Sequence, residues 1–373
     1  MPGRRCFVKG ALGMAVAGMA PAWPLRAQPS LADPMRAKVP GPIPTLAALD
    51  ASLAAAGVGR ADREWLAGLA QPGVALQDMS ADDADIPVGA SKAGGDPDLP
   101  DGMAWPTRPP TSVGRKEVEV LRQLQATQPA VGDDYLTRQI AVKEPLARRE
   151  APLAFLLQVD LAACAATGPL DPDIPRAGRL LLFYDMVFLP GYGHDKEGNA
   201  LFRLVHLDGG TDTLRRRTPP DMGAAVYADE PPLRDRLPSA MLKPVYTYTV
   251  PDFGSAPVLG RYAMAGRYPH QAWVEADGGA AALGTRLGGW PANIQNDMAI
   301  ELAAMEAGVE PPYGTRYPEF VRMMSKRAQQ WVMLLQVVSY GDVDYNGNYY
   351  VWIKREHLRA RDFSKARLIY QTD

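Results

Sequence analysis

Leu156-Leu157-Gln158-Val159 recurs unchanged as Leu334-Leu335-Gln336-Val337. Each copy is an apolar run broken by one glutamine. Each is followed, after a turn-rich gap, by an aromatic run: Leu182-Phe183-Tyr184 after the first, Tyr349-Tyr350-Val351-Trp352-Ile353 after the second. Such self-similarity reads as a duplicated sheet unit with its halves related by an approximate two-fold axis.

Working outward, short apolar runs bounded by Gly, Pro and Asp predict strands over 74–76, 154–159, 179–184, 202–207, 245–250, 331–338 and 349–353. Helical spacing predicts a helix from Thr45, as cap, to Ala56, with Leu46, Leu49 and Leu53 on one side. Further helices are expected over 60–69 (Trp65 and Leu66 inward), 112–127, 133–150, 294–307 and 317–329. No regular βαβ rhythm joins these elements. The fold class is therefore α+β, a largely antiparallel sheet with internal duplication and flanking helices. The charged stretch 112–150 reads as a helical insertion, either a solvated excursion or a mobile flap.

Two loops stand out. Leu287-Gly288-Gly289-Trp290-Pro291-Ala292-Asn293-Ile294-Gln295-Asn296-Asp297-Met298 joins a diglycine to a Trp-Pro pair. Glycine permits backbone geometry that a Cβ excludes, and Pro291 fixes its own φ. The segment predicts a rigid loop running into a helix from Ile294. Ser91–Pro106 carries a second diglycine, Gly94-Gly95, and a second Trp-Pro pair, Trp105-Pro106. It shows no side-chain period and predicts an ordered coil packed on the sheet.

The 373 residues carry 40 basic and 42 acidic side chains, net charge -2. That balance gives no electrostatic case for nucleic acid or an anionic membrane. The 35 prolines exceed the usual share of about 5% and predict many irregular connections. At the N-terminus, Arg4-Arg5-Cys6-Phe7-Val8-Lys9 precedes an apolar run from Ala11 to Trp23, and Leu25-Arg26-Ala27 offers a small residue for cleavage. This order predicts a twin-arginine-type signal over 1–27 and a periplasmic address. A membrane anchor is the competing reading, but Pro21 and Pro24 interrupt a run already short for a span of about 20 residues. A proline-rich tether over 28–44 and a single domain over 45–373 complete the organisation. Once the signal is removed Cys164 stands alone, a small buried hydrophobe that forms no internal disulfide.

Chemistry is sparsely signalled. The histidines His194, His206, His270 and His357 are not at metal-ligand spacing, and no phosphate loop, nucleophile elbow or dinucleotide fingerprint occurs. No cofactor and no metal are expected. Asp342–Asn348 faintly resembles a calcium loop, but its twelfth position is Ile353, and an Asn-Gly hairpin turn is the better reading. What remains is polar residues in apolar settings: Gln158, Gln295 and Gln336. Buried amides need partners. In one reading each glutamine bonds backbone and staples a diglycine loop onto the sheet. In the other they converge with Lys92, Trp105, Trp290 and Asp297 on a cleft for a small polar ligand or peptide.

Ser91-Lys92-x-Gly94-Gly95-x-Pro97-x-Leu99-Pro100 with Trp105-Pro106 resembles a block of the YwqG-like family of uncharacterised bacterial domains. Phe155-Leu156-x-Gln158-Val159-x-Leu161 followed by Gly178-Arg179-Leu180 and Phe183-Tyr184-Asp185 is similar to a second block. Leu287-Gly288-Gly289-x-Pro291-x-x-Ile294-Gln295-x-Asp297 resembles a third, and Leu334-Leu335-Gln336-Val337 with Gly341-Asp342 and Tyr349–Ile353 a fourth. The blocks run in family order from about residue 74 to the C-terminus. The resemblance implies one α+β domain containing a duplication and brings no activity or cofactor. Function is expected to be that of an exported, non-enzymatic ligand- or protein-binding domain. The alternative is a cell-envelope hydrolase or transferase using Asp297 or His270 as base.

Overall fold

The computed structural model describes residues 42–127, 133–188, 198–221, 237–252, 254–262, 268–271, 273–274, 284–312, 316–338 and 347–372. All belong to one of the two compact units into which the chain divides, Val39–Asp373. The expected signal, most of the tether, His194 and most of the 342–348 turn lie outside the described residues.

Helices α1 (Leu46–Ala55) and α2 (Arg60–Leu69) lead into strand β1 (Gln71–Ser80). The first half then holds β2 (Lys92–Ala93), β3 (Asp98–Pro100), β4 (Thr107–Arg108), α3 (Ser112–Thr127), α4 (Asp133–Arg148), β5 (Ala151–Pro152), β6 (Ala154–Asp160), α5 (Leu161–Thr167), β7 (Arg179–Tyr184), β8 (Phe202–Leu207) and β9 (Leu214–Arg216). Strand β10 (Ala240–Thr249) and α6 (Ala256–Tyr262) open the second, followed by β11 (Arg286–Gly288), α7 (Met298–Ala307), α8 (Tyr317–Ala328), β12 (Trp331–Val338), β13 (Gly347–Lys354), α9 (Arg355–Arg359) and β14 (Arg367–Thr372).

Ten strands form one sheet in the order β14-β13-β12-β11-β1-β10-β2-β6-β7-β8. Every pairing in it is antiparallel. The order is a palindrome about the β1–β10 pair, and the register repeats. Lys92 faces Gln158 as Arg286 faces Gln336. Gln158 faces Leu181 as Gln336 faces Tyr350. The ladder slips by one residue between Phe155 and Leu157, and again between Met333 and Leu335. A shared bulge at the same place is hard to obtain without a common plan. The halves also exchange strands: β1 precedes the first half but pairs with β11, and β10 precedes the second but pairs with β2.

The sheet curls until it is nearly barrel-shaped. Alternation sends successive side chains to opposite faces. Leu180 and Leu182 join Leu335, Val351 and Leu368 in an inner core shared by both halves, and the rings of Tyr184 and Tyr349 meet there at 4.9 Å. Leu181 and Phe183 face outward with Leu99 and Phe155. On the second half Met298 and Leu302 cover Met333, Tyr350 and Trp352. Strand β7 is buried at all six positions because both its faces are covered. Cys164 is fully buried, and burial pushes its thiol up to about 12.

Several expectations need correction. The 112–150 stretch is helical, but no mere excursion: Val118, Leu146 and Ala147 are built into the interior. It lies in the chain between β2 and β6, the first two strands that its half gives to the ten-stranded sheet, as α7 and α8 lie between β11 and β12. Ser91–Pro106 contains the strands β2 and β3 rather than coil alone. Helix α1 is capped by Thr45 and buries Leu49 and Leu53, whereas Leu46 is 44% exposed. Strands β11 and β14 escaped the sequence reading. The first is three residues long, and the second carries no aliphatic run beyond Leu368-Ile369.

Candidate functional site

Each repeated glutamine holds the diglycine loop of its own half. Gln158 Oε1 accepts from Asp98 N–H at 3.0 Å, and Nε2 donates to Ala90 O at 2.8 Å and Asp98 Oδ2 at 2.9 Å. Gln336 Oε1 accepts from Ala292 N–H at 3.0 Å, and Nε2 donates to Gly284 O at 3.2 Å. Asp98 and Ala292 both lie three residues past the second glycine of their loop. Both glycine pairs take left-handed φ, +57° and +64° at Gly94 and Gly95, +67° and +79° at Gly288 and Gly289. A Cβ on Gly94 would sit 2.3 Å from Pro238 O, which makes that glycine obligatory.

A cation completes each loop. Lys92 Nζ bonds Asp83 and the carbonyl of Asp96, four residues on. Arg286 Nη2 bonds the carbonyl of Trp290, also four residues on. Both cations are fully buried. Burial lowers the Lys92 pKa against the opposing bond and charge of Asp83. Burial brings Arg286 down to about 10. Sequence reading missed Arg286, although the signal was present: Lys92-x-Gly94-Gly95-x-Pro97 aligns with Arg286-x-Gly288-Gly289-x-Pro291.

The second loop is held at its far end by two carboxylates. Asp252 accepts from Asn293 N–H at 2.6 Å, Asn293 Nδ2 at 2.9 Å, Ser255 Oγ at 2.8 Å and Gly254 N–H at 3.0 Å. Asp297 accepts from Ile300 N–H at 2.9 Å and Ala256 N–H at 2.6 Å, so it ties the starts of α7 and α6 together. The expected helix start at Ile294 is corrected by this contact: Asp297 is the N-cap, and α7 begins at Met298. Residues 294–296 bond instead to Gln371, whose Oε1 accepts from Ile294 and Gln295 N–H at 3.0 and 3.2 Å and whose Nε2 donates to Asn296 O at 2.9 Å. Burial raises the Asp252 pKa, Asp297 to about 6 and Glu301, one turn on, to about 7.

The expected single cleft is thus resolved into separate clamps. Gln158 and Gln336 lie five strands apart in sheet order. Gln295 is exposed, and the third loop-binding amide is Gln371. Lys92, Gln158, Gln336 and Asp297 are each at most 5% exposed, so they line no open surface. Trp105 is half-buried: its Nε1 donates to Leu153 O at 2.9 Å and its ring meets Phe183 edge-on at 5.5 Å. Trp290 Nε1 donates to Leu69 O at 2.7 Å, docking α2. His270 is 1% exposed, its Nε2 is 3.0 Å from Pro251 O, and burial lowers its pKa. What the loops leave at the surface is their tips: Asp101, Gly102 and Ala104 on the first, Gln295 and Asn296 on the second.

Among the described residues no group of three His, Cys, Asp or Glu could hold a metal ion. No described helix is long and apolar enough to cross a membrane. A family model described as a domain of unknown function, DUF1963, matches residues 91–372. No curated protein matches the chain.

Proposed function

We propose that this chain, which belongs to the DUF1963 family, acts outside the cytoplasm as a non-enzymatic binding domain. The finer likeness of its four sequence blocks to YwqG-like proteins is part of the same proposal. One observation carries the binding reading. The polar side chains most apt for chemistry, Asp297 and His270, are sealed, and both Asp297 oxygens are committed to backbone N–H groups. A rigid scaffold with loop tips at the surface is the arrangement by which many domains recognise partners. Gln295 and Asn296 are exposed, and amide side chains of this kind, which both accept and donate, suit a neutral polar ligand or an extended peptide; Asn296 Nδ2 also serves Glu301 Oε1 at 3.2 Å.

The test is ligand-induced thermal stabilisation of the purified protein, screened against peptides and neutral polar metabolites. Gln295→Ala with Asn296→Ala is expected to remove the shift while leaving the unliganded melting temperature in place. A hit that survives the double change overturns the reading of the tips. Export is supported by the Arg4-Arg5 signature, and Arg4→Lys with Arg5→Lys is expected to retain the protein in the cytoplasmic fraction. A cell-envelope hydrolase or transferase is the second reading. In its favour, a carboxyl with a pKa of about 6 falls where a general base works well. Turnover in a hydrolase panel that vanishes in Asp297→Asn would establish it.

A further inference from the structure

Arg108 on β4 is 1% exposed and unusually well tied. Its Nε donates to Asp185 Oδ2 at 2.5 Å. Its Nη1 serves Leu146 O at 2.9 Å, Arg149 O at 3.0 Å and Pro109 O at 3.2 Å. Leu146 is in the last turn of α4, where carbonyls have no partner within the helix, and Arg149 is the residue just past it. The guanidinium carbon lies 5.1 Å from the centre of the Phe188 ring. That ring packs so closely on Gly114 of α3 that a Cβ there would come within 2.7 Å of it. Arg108 therefore latches both helices of the α3–α4 hairpin to the end of β7.

One part of this latch is unfinished. Asp185 spends Oδ1 on the N–H groups of Val187 and Phe188, at 2.9 and 3.3 Å. Arg108 Nη2 is buried and has no hydrogen-bond partner among the described residues. A buried guanidinium N–H without a partner is costly. Arg108 and Asp185 both line a cavity of about 10 Å³, together with residues that include Leu146, Ala151, Pro152 and Met186. That is about the least volume that admits one water centre.

We propose that this cavity is a specific site for one resident water molecule, which accepts from Arg108 Nη2 and is held beside the Asp185 carboxylate. The volume rules out an organic ligand. The carboxylate alongside disfavours an anion, since the ion pair already balances the guanidinium charge. The water is a structural part of the latch, filling the bond that the hairpin and the β7 end leave open.

A crystal structure fine enough to place ordered water tests this directly on the native protein. The expected result is one peak within about 3.2 Å of Nη2, with no anomalous signal after a bromide soak. A dry cavity, a bromide peak, or Nη2 turned onto Asp185 would each overturn the proposal. In solution, water-oxygen relaxation dispersion is expected to count one fewer long-lived water in Arg108→Met than in the native chain. An unchanged count in a folded variant would overturn it too, and the native crystal structure decides the matter if that variant fails to fold.

Discussion

The two halves of the sheet solve one problem with different chemistry. Each must hold an irregular diglycine loop against a β ladder without leaving backbone groups unpaired. Both use a glutamine on one strand of the sheet, β6 or β12, and a buried cation on the strand paired with it, β2 or β11. The first half adds carboxylates: Asp83 meets Lys92, and Asp98 takes Gln158 Nε2 and, at 3.1 Å, Arg216 Nε. The second half has Ala292 where the first has Asp98, and draws its acids from elsewhere, Asp252 and Asp297. Its loop is also longer in reach, since it runs on to cap α7 and is caught again by Gln371 on β14. The lesson is that the shared part is geometric, the backbone path and its staple, while the charge balance is local to each copy.

The glycines give the sharpest way to break this equivalence. Gly94 and Gly288 occupy the same place in their loops, yet a Cβ on Gly94 meets backbone at 2.3 Å whereas one on Gly288 meets the Ile174 side chain at 3.3 Å and backbone, Pro72 O, no nearer than 3.6 Å. Gly94→Ala is expected to lose about 4 kcal/mol or more, or to prevent folding, and Gly288→Ala about 1–2 kcal/mol. Urea unfolding of both variants checks the ordering, and equal losses would contradict it.

The staples come next. Gln158→Met leaves Asp98 N–H and Ala90 O without partners and also strips a bond from a buried carboxylate. Gln336→Met leaves Ala292 N–H and Gly284 O. Expected losses are about 3 and about 2 kcal/mol, read from the urea midpoint at unchanged slope. Equal losses would mean that the Asp98 carboxylate adds nothing to the first staple.

A pH titration sharpens the difference in charge. Asp297 and Glu301 have folded pKa values of about 6 and about 7, above their ordinary values near 4. The folded chain thus binds protons more tightly than the unfolded chain between about pH 4 and 7. Their contribution to stability is full below pH 4 and is lost as pH rises through 6 and 7. For Asp297 the loss is on the order of 1–3 kcal/mol, and Asp297→Asn is expected to flatten that part of the profile. A profile unchanged by the substitution would show that the carboxyl is not the titrating group. Smallest of all, Gln295→Ala is expected to change stability by no more than about 0.5 kcal/mol, because its side chain is at the surface. A larger loss would place Gln295 among the staples after all.

Much of the fold was legible in the chain. The strands at 154–160, 179–184, 202–207 and 331–338 follow from local apolar runs, and the Leu-Leu-Gln-Val echo announced the duplication. The site was legible only in part. A glutamine in an apolar run announces that a buried amide needs partners, and this located Gln158 and Gln336. It misled at Gln295, which follows Ile294 but is flanked by Asn293, Asn296 and Asp297 and is exposed, while Gln371 took the inward place. Sequence context reports that a segment is apolar, not which face of an irregular loop is covered. The Asp297 cap was hidden for a related reason. The residues before it suit a helix, and only the contact with Ala256, 41 positions away along the chain, fixes where the helix begins.

The sequence by itself determined the secondary elements that need only their own neighbours, the repeat, and the requirement that two diglycine loops be tied down. Tertiary structure alone decided which half each strand serves, since β1 and β10 each pair across into the other repeat. It also decided that the polar residues seal loops rather than line a cleft. The physical reason is common to both. Strand pairing and amide bonding are satisfied by whatever group lies opposite in space, and that partner is set by the curl of the whole sheet.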